Sequence, residues 1–214
     1  MKSASKVLIV FAHAESKSFC AAIKDMCVET LKAKGHEVKV SDLYAMKMYL
    51  PLGKDDFTEI GDPSYFKPQT EQKVSNEKAL ASFSPEVKAE HEKVAWCDIM
   101  LFVYPLYWFH LPGILKNWVD RIFSFGFAYG GGKSLVGKKG MLLYTTGGPK
   151  DFLKTSEEMG WKLINNMIFG FCKITALEPY VAYGAAHVDK SARVKYLEEV
   201  KKIMEGIDTR ADYK

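Results

Sequence analysis

Residues 99–112 read IMLFVYPLYWFHLP, and they contain the clearest strand-to-helix transition in the chain. The first five residues are an uninterrupted apolar run, which is typical of a strand buried on both faces of a parallel sheet. After Pro112, apolar residues recur at the 3.6-residue spacing of an amphipathic helix as far as Phe123. A strand that leads into a helix in this way is one unit of an α/β domain.

The same alternation extends in both directions along the chain. We predict five strands, at Val7–Phe11, Glu37–Val40, Ile99–Val103, Met141–Tyr144 and Tyr180–Tyr183. We predict helices from Ser18 to about Lys34, from Ser84 to about Trp96, from Pro112 onward, from Gly148 to about Phe171 and from Ser191 to Met204. Five successive β-then-α units predict a doubly wound, five-stranded parallel sheet with helices on both faces. The 214 residues are expected to form one domain, residues 1–214.

Residues 45–83 interrupt this rhythm. They contain Pro51, Pro63 and Pro68 and show no clear periodicity, so we predict a long irregular excursion. Excursions of this length in a compact domain are usually functional or wrap a partner. The stretch holds more apolar residues than a monomer exposes, which favours a twofold interface with a second copy.

Composition excludes several classes of protein. There are 30 Lys and Arg residues against 26 Asp and Glu residues, which gives a net charge of +4. Only three of the 30 basic residues are arginine, the residue that most often binds phosphates and bases, and this argues against nucleic-acid binding. No apolar run approaches the length of a membrane span, and the apolar core at residues 7–11 is too short for a signal peptide. The four cysteines have no CxxC spacing and no histidine has metal-ligand spacing, so we expect no metal site and reduced thiols in a cytoplasmic protein.

In a doubly wound sheet, ligands bind beyond the carboxyl ends of the strands. The loop after the first strand, residues 13–19, reads HAESKSF. It lacks both the GxGxxG dinucleotide motif and the GxxxxGK[ST] phosphate loop. Its hydroxyls and Lys17 precede a helix N-terminus, which indicates an anion site, although Ser18 could equally be only a helix cap.

The loop after the third strand places four aromatic residues, Tyr104, Tyr107, Trp108 and Phe109, within six positions. Two interpretations are open: a hydrophobic plug that packs the next helix, or a wall for a flat aromatic ligand. The loop after the fourth strand, Thr145-Thr146-Gly147-Gly148, offers hydroxyls and bare N–H groups, or is an ordinary turn. Because the three loops meet at the carboxyl edge of the sheet, the anion site, the aromatic side chains and the open backbone at Gly147 and Gly148 would lie together. Such a combination fits a flavin, with its phosphate at the first loop and its ring system at the other two.

At this point a family resemblance becomes visible. It is carried by six segments, AHAESKSF (12–19), DLYAM (42–46), FSP (83–85), PLYWFHLPGILKNW (105–118), FAY (127–129) and TTGG (145–148), and by LEP at 177–179. On these segments the chain resembles the NAD(P)H:quinone oxidoreductase (DT-diaphorase) family of flavodoxin-like flavoenzymes, in its short microbial form. The resemblance implies strand order 2-1-3-4-5, a homodimer whose flavin sites receive residues from both subunits, and FAD as cofactor.

The resemblance also implies roles for particular residues. His13, Lys17, Ser18, Phe19, Cys20 and Arg193 would hold the pyrophosphate and adenosine side of the flavin, and Pro105, Leu106, Tyr107, Trp108, Phe109, Thr145, Thr146, Gly147 and Gly148 would hold its ring system. Trp108, Phe109 and Tyr129 would contact the substrates, NAD(P)H as hydride donor and a quinone as acceptor, which use one slot in turn. Lys17 and Cys20 replace the family's more usual Thr and Asn, so FMN stays open beside FAD.

The family's animal members place a Tyr and a His soon after the Gly-Gly turn, but residues 149–167 contain neither. We therefore expect the N–H groups of Gly147 and Gly148, helped by the Thr146 hydroxyl, to stabilise the negative charge that hydride transfer brings to the flavin. Two other functions remain open. A flavodoxin-type electron carrier is disfavoured by the positive net charge, and an ancillary regulatory subunit of a potassium-efflux system is compatible with the sequence.

Overall fold

The computed structural model describes residues 4–213, and for residues 154–159 it describes the backbone alone. Its central sheet runs in the order β2-β1-β3-β4-β5, with every pairing parallel. The strands are β1 (Lys6–Phe11), β2 (Glu37–Asp42), β3 (Ile99–Pro105), β4 (Lys139–Thr145), β5 (Thr175–Ala176) and β6 (Tyr180–Ala182). The predicted flavodoxin-like α/β fold and its strand order are confirmed.

Helices cover both faces of the sheet. They are α1 (Phe19–Ala33), α2 (Pro68–Glu77), α3 (Pro85–Trp96), α4 (Gly113–Ile122), α5 (Lys150–Trp161) and α6 (Lys190–Glu205). Alternate residues of β1 point to opposite cores, as the two-residue period of a strand requires: Val7 and Ile9 pack with α1 and α6, and Leu8 and Val10 with α3 and α4. Among the described residues, no helix is long and apolar enough to cross a membrane.

The prediction of an irregular stretch from residue 45 to residue 83 is wrong for the ten residues of α2 and for a short 3₁₀ helix, Lys54–Asp56. Pro68 stands in the first turn of α2, a position that suits its missing N–H. The buried side of α2 is polar, made of Glu71, Gln72 and Ser75, so the helix shows no apolar periodicity in the sequence. The later part of the excursion forms a closed loop, because Phe57 within it and Phe83 at its end form a β-bridge and stack their rings.

Two further predictions need correction. The helix after Gly148 does not continue unchanged to Phe171: α5 is followed by a π-helical segment, Lys162–Phe169. The fifth strand is divided, because β5 and β6 both pair with β4 and Pro179, which has no N–H to donate, lies between them. Both corrections leave the carboxyl edge of the sheet where it was predicted.

Candidate functional site

Two adjoining cavities form a cleft at the carboxyl edge of β1, β3 and β4. The first encloses about 250 Å³ and the second about 260 Å³, and both are bounded by Leu106, Thr146 and Gly147. The first is also lined by His13, Phe19, Cys20, Pro105, Tyr107, Thr145, Ala185 and Ala186, and the second by Trp108, Phe109, Gly148 and Leu153. Twelve of the residues predicted for cofactor binding therefore line one cleft.

The loop after β1 presents hydrogen-bond donors to the first cavity. His13 accepts the Glu15 N–H at Nδ1 across 2.9 Å, so the neutral ring carries its hydrogen on Nε2. Ser18 is the N-cap of α1, and its Oγ accepts the Ala21 N–H across 3.1 Å. Among the described residues, the N–H groups of Phe19 and Cys20 have no acceptor. Together with the helix dipole they suit an anion.

The Cys20 side chain lies on the wall of this cavity. Burial raises the pKa of the thiol to about 12, although a hydrogen bond with Thr145 opposes the shift. The thiol is therefore protonated at neutral pH and is not a nucleophile. Cys20 can line a bound group but cannot attack it.

The loop after β3 is a tight turn with aromatic residues at its centre. Tyr107 and His110 exchange two backbone hydrogen bonds, of 3.3 and 3.1 Å, around Trp108 and Phe109. Trp108 and Phe109 have φ values of 49° and 61°, a left-handed conformation that costs bulky residues about 1–3 kcal/mol each. The Trp108 side chain is 94% exposed, so the interpretation of this loop as a packing plug is wrong for the turn itself.

The loop after β4 is fastened on both sides. The Leu106 N–H donates to the Thr145 carbonyl across 2.8 Å, which joins it to the aromatic turn. The Thr146 hydroxyl donates to the Gly148 carbonyl (2.8 Å) and accepts the Gly184 N–H (3.2 Å), so its hydrogen is engaged within the turn rather than offered to the cleft. Within the described part of the chain, the Gly147 and Gly148 N–H groups have no acceptor.

Three predicted residues lie outside the cleft lining. Lys17 is exposed, and its N–H donates to the Glu15 carboxylate across 2.7 Å. Ser18 acts through the helix cap. The Arg193 guanidinium donates to the carbonyls of Ala185 and Ala186, so it holds the loop that forms one wall of the first cavity.

Tyr129 lines a different and larger cavity, of about 880 Å³, together with Gln69, Ile114, Met167 and Phe171. Neither of the cleft cavities includes Tyr129. Within one chain, therefore, the structure does not bring Tyr129 together with Phe109 and Gly148.

Sequence reasoning also missed residues of this region. Ala185 and Ala186 follow the last strand, and the rule that ligands lie beyond strand ends would have found them had the fifth loop been considered. Gln69 and Gly160 give no signal in the sequence, because their roles depend on contacts with Tyr129 and Phe109 that lie far apart along the chain.

The cleft suits a flavin on three observations. It offers unused N–H donors at Gly147 and Gly148, an anion site at the start of α1, and the exposed faces of Trp108 and Phe109. A Cβ built at Gly147 meets no heavy atom within 4 Å, so a flat ring system can approach the backbone there. Among the described residues, no three His, Cys, Asp or Glu side chains gather as metal ligands.

Comparison with known proteins identifies the class. The model of a family with a flavodoxin-like fold matches residues 5–204. NAD(P)H dehydrogenase (quinone) 1 of Cavia porcellus is 35% identical over 219 residues, which cover 97% of this chain and 78% of that protein. The protein of the same name in Rattus norvegicus is 37% identical, with 94% and 77% covered. A Klebsiella pneumoniae structure described as a quinone reductase has a TM-score of 0.91 at 28% identity, with 98% and 87% covered.

These matches agree with the geometry of the cleft. The fold is the flavodoxin-like fold, and the candidate cleft lies at the carboxyl edge of its sheet. The chain belongs to the NAD(P)H dehydrogenase (quinone) family of oxidoreductases.

Proposed function

We propose that this protein is a flavin-dependent NAD(P)H:quinone oxidoreductase that binds FAD in the cleft and completes its substrate pocket with a second copy of the chain. The observation that carries the proposal is the pair of N–H groups at Gly147 and Gly148, which lie without acceptors among the described residues beside the aromatic turn of Trp108 and Phe109. Membership of the quinone dehydrogenase family supports the choice of substrates.

A bound flavin would supply the two-electron chemistry, accepting a hydride from NAD(P)H and delivering it to the quinone. The residues of the chain would bind the flavin and orient its substrates. The Gly147 and Gly148 N–H groups would act as fixed donors to the ring system and stabilise the negative charge that it takes up, as donors do in an oxyanion hole. Trp108 and Phe109 form the wall against which flat substrates stack.

FAD is preferred over FMN because the cleft continues past the ring site toward the start of α1. His13, Phe19 and Cys20 line this extension, where the His13 Nε2–H and the two backbone N–H groups would act as anion donors. Arg193 braces the Ala185–Ala186 wall of the same cavity, so we assign it a positioning role beside the adenosine portion. Lys17, which is exposed in the loop after β1, adds positive charge near the start of α1.

The exposed apolar surface supports the proposed dimer. Trp108, Tyr129, Met167 and Phe171 border open cavities, and Tyr49 and Leu50 of the excursion are more than half exposed. Patches of this kind mark interfaces. In a symmetric dimer, Tyr129 of one subunit would reach the cleft of the other, which reconciles its predicted substrate role with its distance from Phe109 in one chain.

The buried, free thiols of Cys20, Cys27, Cys97 and Cys172 suit a reducing compartment, and we propose a cytoplasmic location. A flavodoxin-type carrier fits less well, since the net charge of +4 is opposite to the acidic surface that such carriers use for docking.

Steady-state kinetics with NAD(P)H and benzoquinone test the activity. Because both substrates use one slot in turn, we expect parallel double-reciprocal lines, and intersecting lines would contradict the single slot. Light scattering tests the dimer: we expect a mass of twice the 24.2 kDa chain at micromolar concentration. A monomer that still reduces quinones would overturn the shared pocket.

A further inference from the structure

The Tyr129 side chain is held more firmly than its place in a loop suggests. Its ring packs between Phe125, at 5.3 Å between centroids, and Phe171, at 5.5 Å. Its carbonyl accepts the Gly126 N–H across 2.8 Å. Gly130 has a φ of 65°, and a Cβ there would come within 2.5 Å of the Phe125 ring. The loop therefore fixes the plane of the Tyr129 ring.

The helix α2 fastens this loop through a polar stripe. The Gln72 Oε1 accepts the Phe125 N–H across 3.0 Å, and the Asn76 Nδ2 donates to the Phe125 carbonyl across 2.8 Å. Gln72 is buried, and Asn76 donates in addition to the Ser124 hydroxyl. These bonds dock α2 on the loop whatever residue occupies position 69.

One turn before Gln72, Gln69 makes a bond of a different kind. Its Nε2 donates to the Tyr129 hydroxyl oxygen across 3.2 Å. A phenol has a single hydrogen and accepts through its lone pairs. Because the Gln69 amide occupies the acceptor side of the oxygen, the hydrogen of Tyr129 is left to donate elsewhere. Both residues line the cavity of about 880 Å³, whose walls include the apolar side chains of Met167 and Phe171.

We propose that Gln69 is a positioning residue for the acceptor: it orients the Tyr129 hydroxyl as a donor into this cavity, where it binds a carbonyl oxygen of the quinone. The proposal rests on the proposed function, in which this cavity faces the cleft of the second subunit. Gln69 is exposed at the rim of this cavity, so its effect depends on orientation and not on burial. A donor whose direction is set in advance contributes more than a hydroxyl that must turn when the acceptor binds.

Three substitutions at position 69 separate orientation from simple contact. In Gln69→Glu the carboxylate can only accept, so it draws the Tyr129 hydrogen away from the cavity. In Gln69→Lys the ammonium can only donate, so the orientation is kept. Gln69→Ala leaves the hydroxyl free to rotate. The matched controls are Thr70→Glu and Thr70→Lys, which place the same charges one residue further along α2, at an exposed position.

The first readout uses the flavin-loaded enzyme and compares benzoquinone with ferricyanide, an acceptor that needs no hydrogen-bond donor. We expect kcat/KM for benzoquinone to fall about tenfold in Gln69→Glu, about the loss of one hydrogen bond. We expect a fall of about threefold in Gln69→Ala and little change in Gln69→Lys. For ferricyanide, a trianion, each substitution at position 69 should change kcat/KM no more than the same substitution at position 70 does, and none of the benzoquinone changes is seen in a Tyr129→Phe background.

The second readout needs no turnover. In protein labelled with ¹³Cζ-tyrosine, the Tyr129 signal is identified by its loss in Tyr129→Phe. Because this carbon carries the hydroxyl, its chemical shift at neutral pH depends on whether the phenol donates or accepts, and it should differ between Gln69→Glu and Gln69→Lys. The difference should be much smaller between Thr70→Glu and Thr70→Lys.

Quinone reduction at the same rate in Gln69→Glu as in the unaltered protein, or Tyr129 chemical shifts that respond alike to substitutions at positions 69 and 70, would overturn this proposal and leave the proposed function standing. If the unaltered, flavin-loaded protein reduces ferricyanide with NAD(P)H but reduces no quinone, the proposed function fails, and this proposal fails with it.

Discussion

The carbonyl oxygen of Phe109 lies directly against Gly160 of α5: a Cβ built at Gly160 would approach that oxygen to 2.8 Å. The aromatic turn is thus supported from behind by helix backbone, and only glycine permits the approach. The strain stored at Trp108 and Phe109 is maintained by this contact together with the Tyr107–His110 bonds.

Gly160→Ala should therefore displace the turn and disturb the wall of the second cavity. We expect the Phe109 backbone to move by several tenths of an ångström and flavin affinity to fall about tenfold, whereas the fold is retained. Crystallography and fluorescence titration with FAD measure the two effects. Unchanged flavin affinity in a folded Gly160→Ala protein would show that the turn does not need this support.

Gly147→Ala tests the open space at the cleft. A Cβ there meets no heavy atom within 4 Å, and the backbone of Gly147 does not have a positive φ, so the apoprotein should keep its thermal stability. The methyl group would occupy space that the ring system needs, so the Kd for flavin should rise at least tenfold. The control is Gly206→Ala, after α6 and outside the lining of both cleft cavities, where a Cβ meets atoms only at 3.8 and 3.9 Å; this change should leave the Kd unchanged.

Gly148→Pro tests the N–H donor directly, because proline has none. Gly148→Ala is the matched control, since it adds a Cβ near Leu153 and Phe152, each at 3.4 Å, but keeps the N–H. Loss of one preorganised donor typically costs on the order of 10²-fold in rate. We expect rapid-mixing measurements to show NAD(P)H oxidation at least tenfold slower in Gly148→Pro than in Gly148→Ala. Equal rates in flavin-loaded proteins would place charge stabilisation elsewhere.

His91 predicts how stability depends on pH. Its Nδ1 bonds to the Val87 carbonyl (2.9 Å) and its Nε2 to the Ser124 hydroxyl (2.8 Å), and burial lowers the pKa of the ring to about 4. In the unfolded chain this histidine takes up a proton near pH 6.5, whereas in the folded protein it stays neutral down to about pH 4. The contribution of the neutral His91 to the free energy of unfolding is therefore fully present above pH 6.5 and is lost as the pH falls toward 4. Over this pH range the free energy of unfolding should fall by about 3 kcal/mol.

Urea unfolding at a series of pH values measures this dependence, with His91→Phe as the comparison. The variant should be less stable at pH 7, since the Ser124 hydroxyl loses its acceptor, and the two free energies of unfolding should converge as the pH approaches 4. Parallel curves would show that His91 does not titrate on unfolding.

The parts of the fold that can be predicted from the sequence are those whose buried side chains are apolar. Strands β1, β3 and β4 were located within about two residues because continuous apolar runs report burial on both faces. Helix α2 was missed because its buried side chains, Glu71 and Gln72 among them, are polar and are satisfied by hydrogen bonds to Gly61 and Phe125. Periodicity of apolar residues cannot report such a helix.

The cleft was predictable for a similar reason: its residues follow directly on strand ends, where the sheet brings them together. The conformation of the aromatic turn was not predictable, since Trp108 and Phe109 adopt a left-handed backbone that sequence rules assign to glycine or asparagine. The separation of Tyr129 from the cleft was equally hidden, because it depends on how α2 and the 124–129 loop pack.

The most direct test of the flavin site is the chromophore itself. The protein is purified after supplementation with both flavins, denatured, and the released molecule is identified by mass spectrometry and quantified against the chain. We expect one FAD per chain, bound tightly enough to survive gel filtration. Release of FMN alone would contradict the adenosine-side roles of His13 and Arg193, and the absence of any flavin would contradict the central claim.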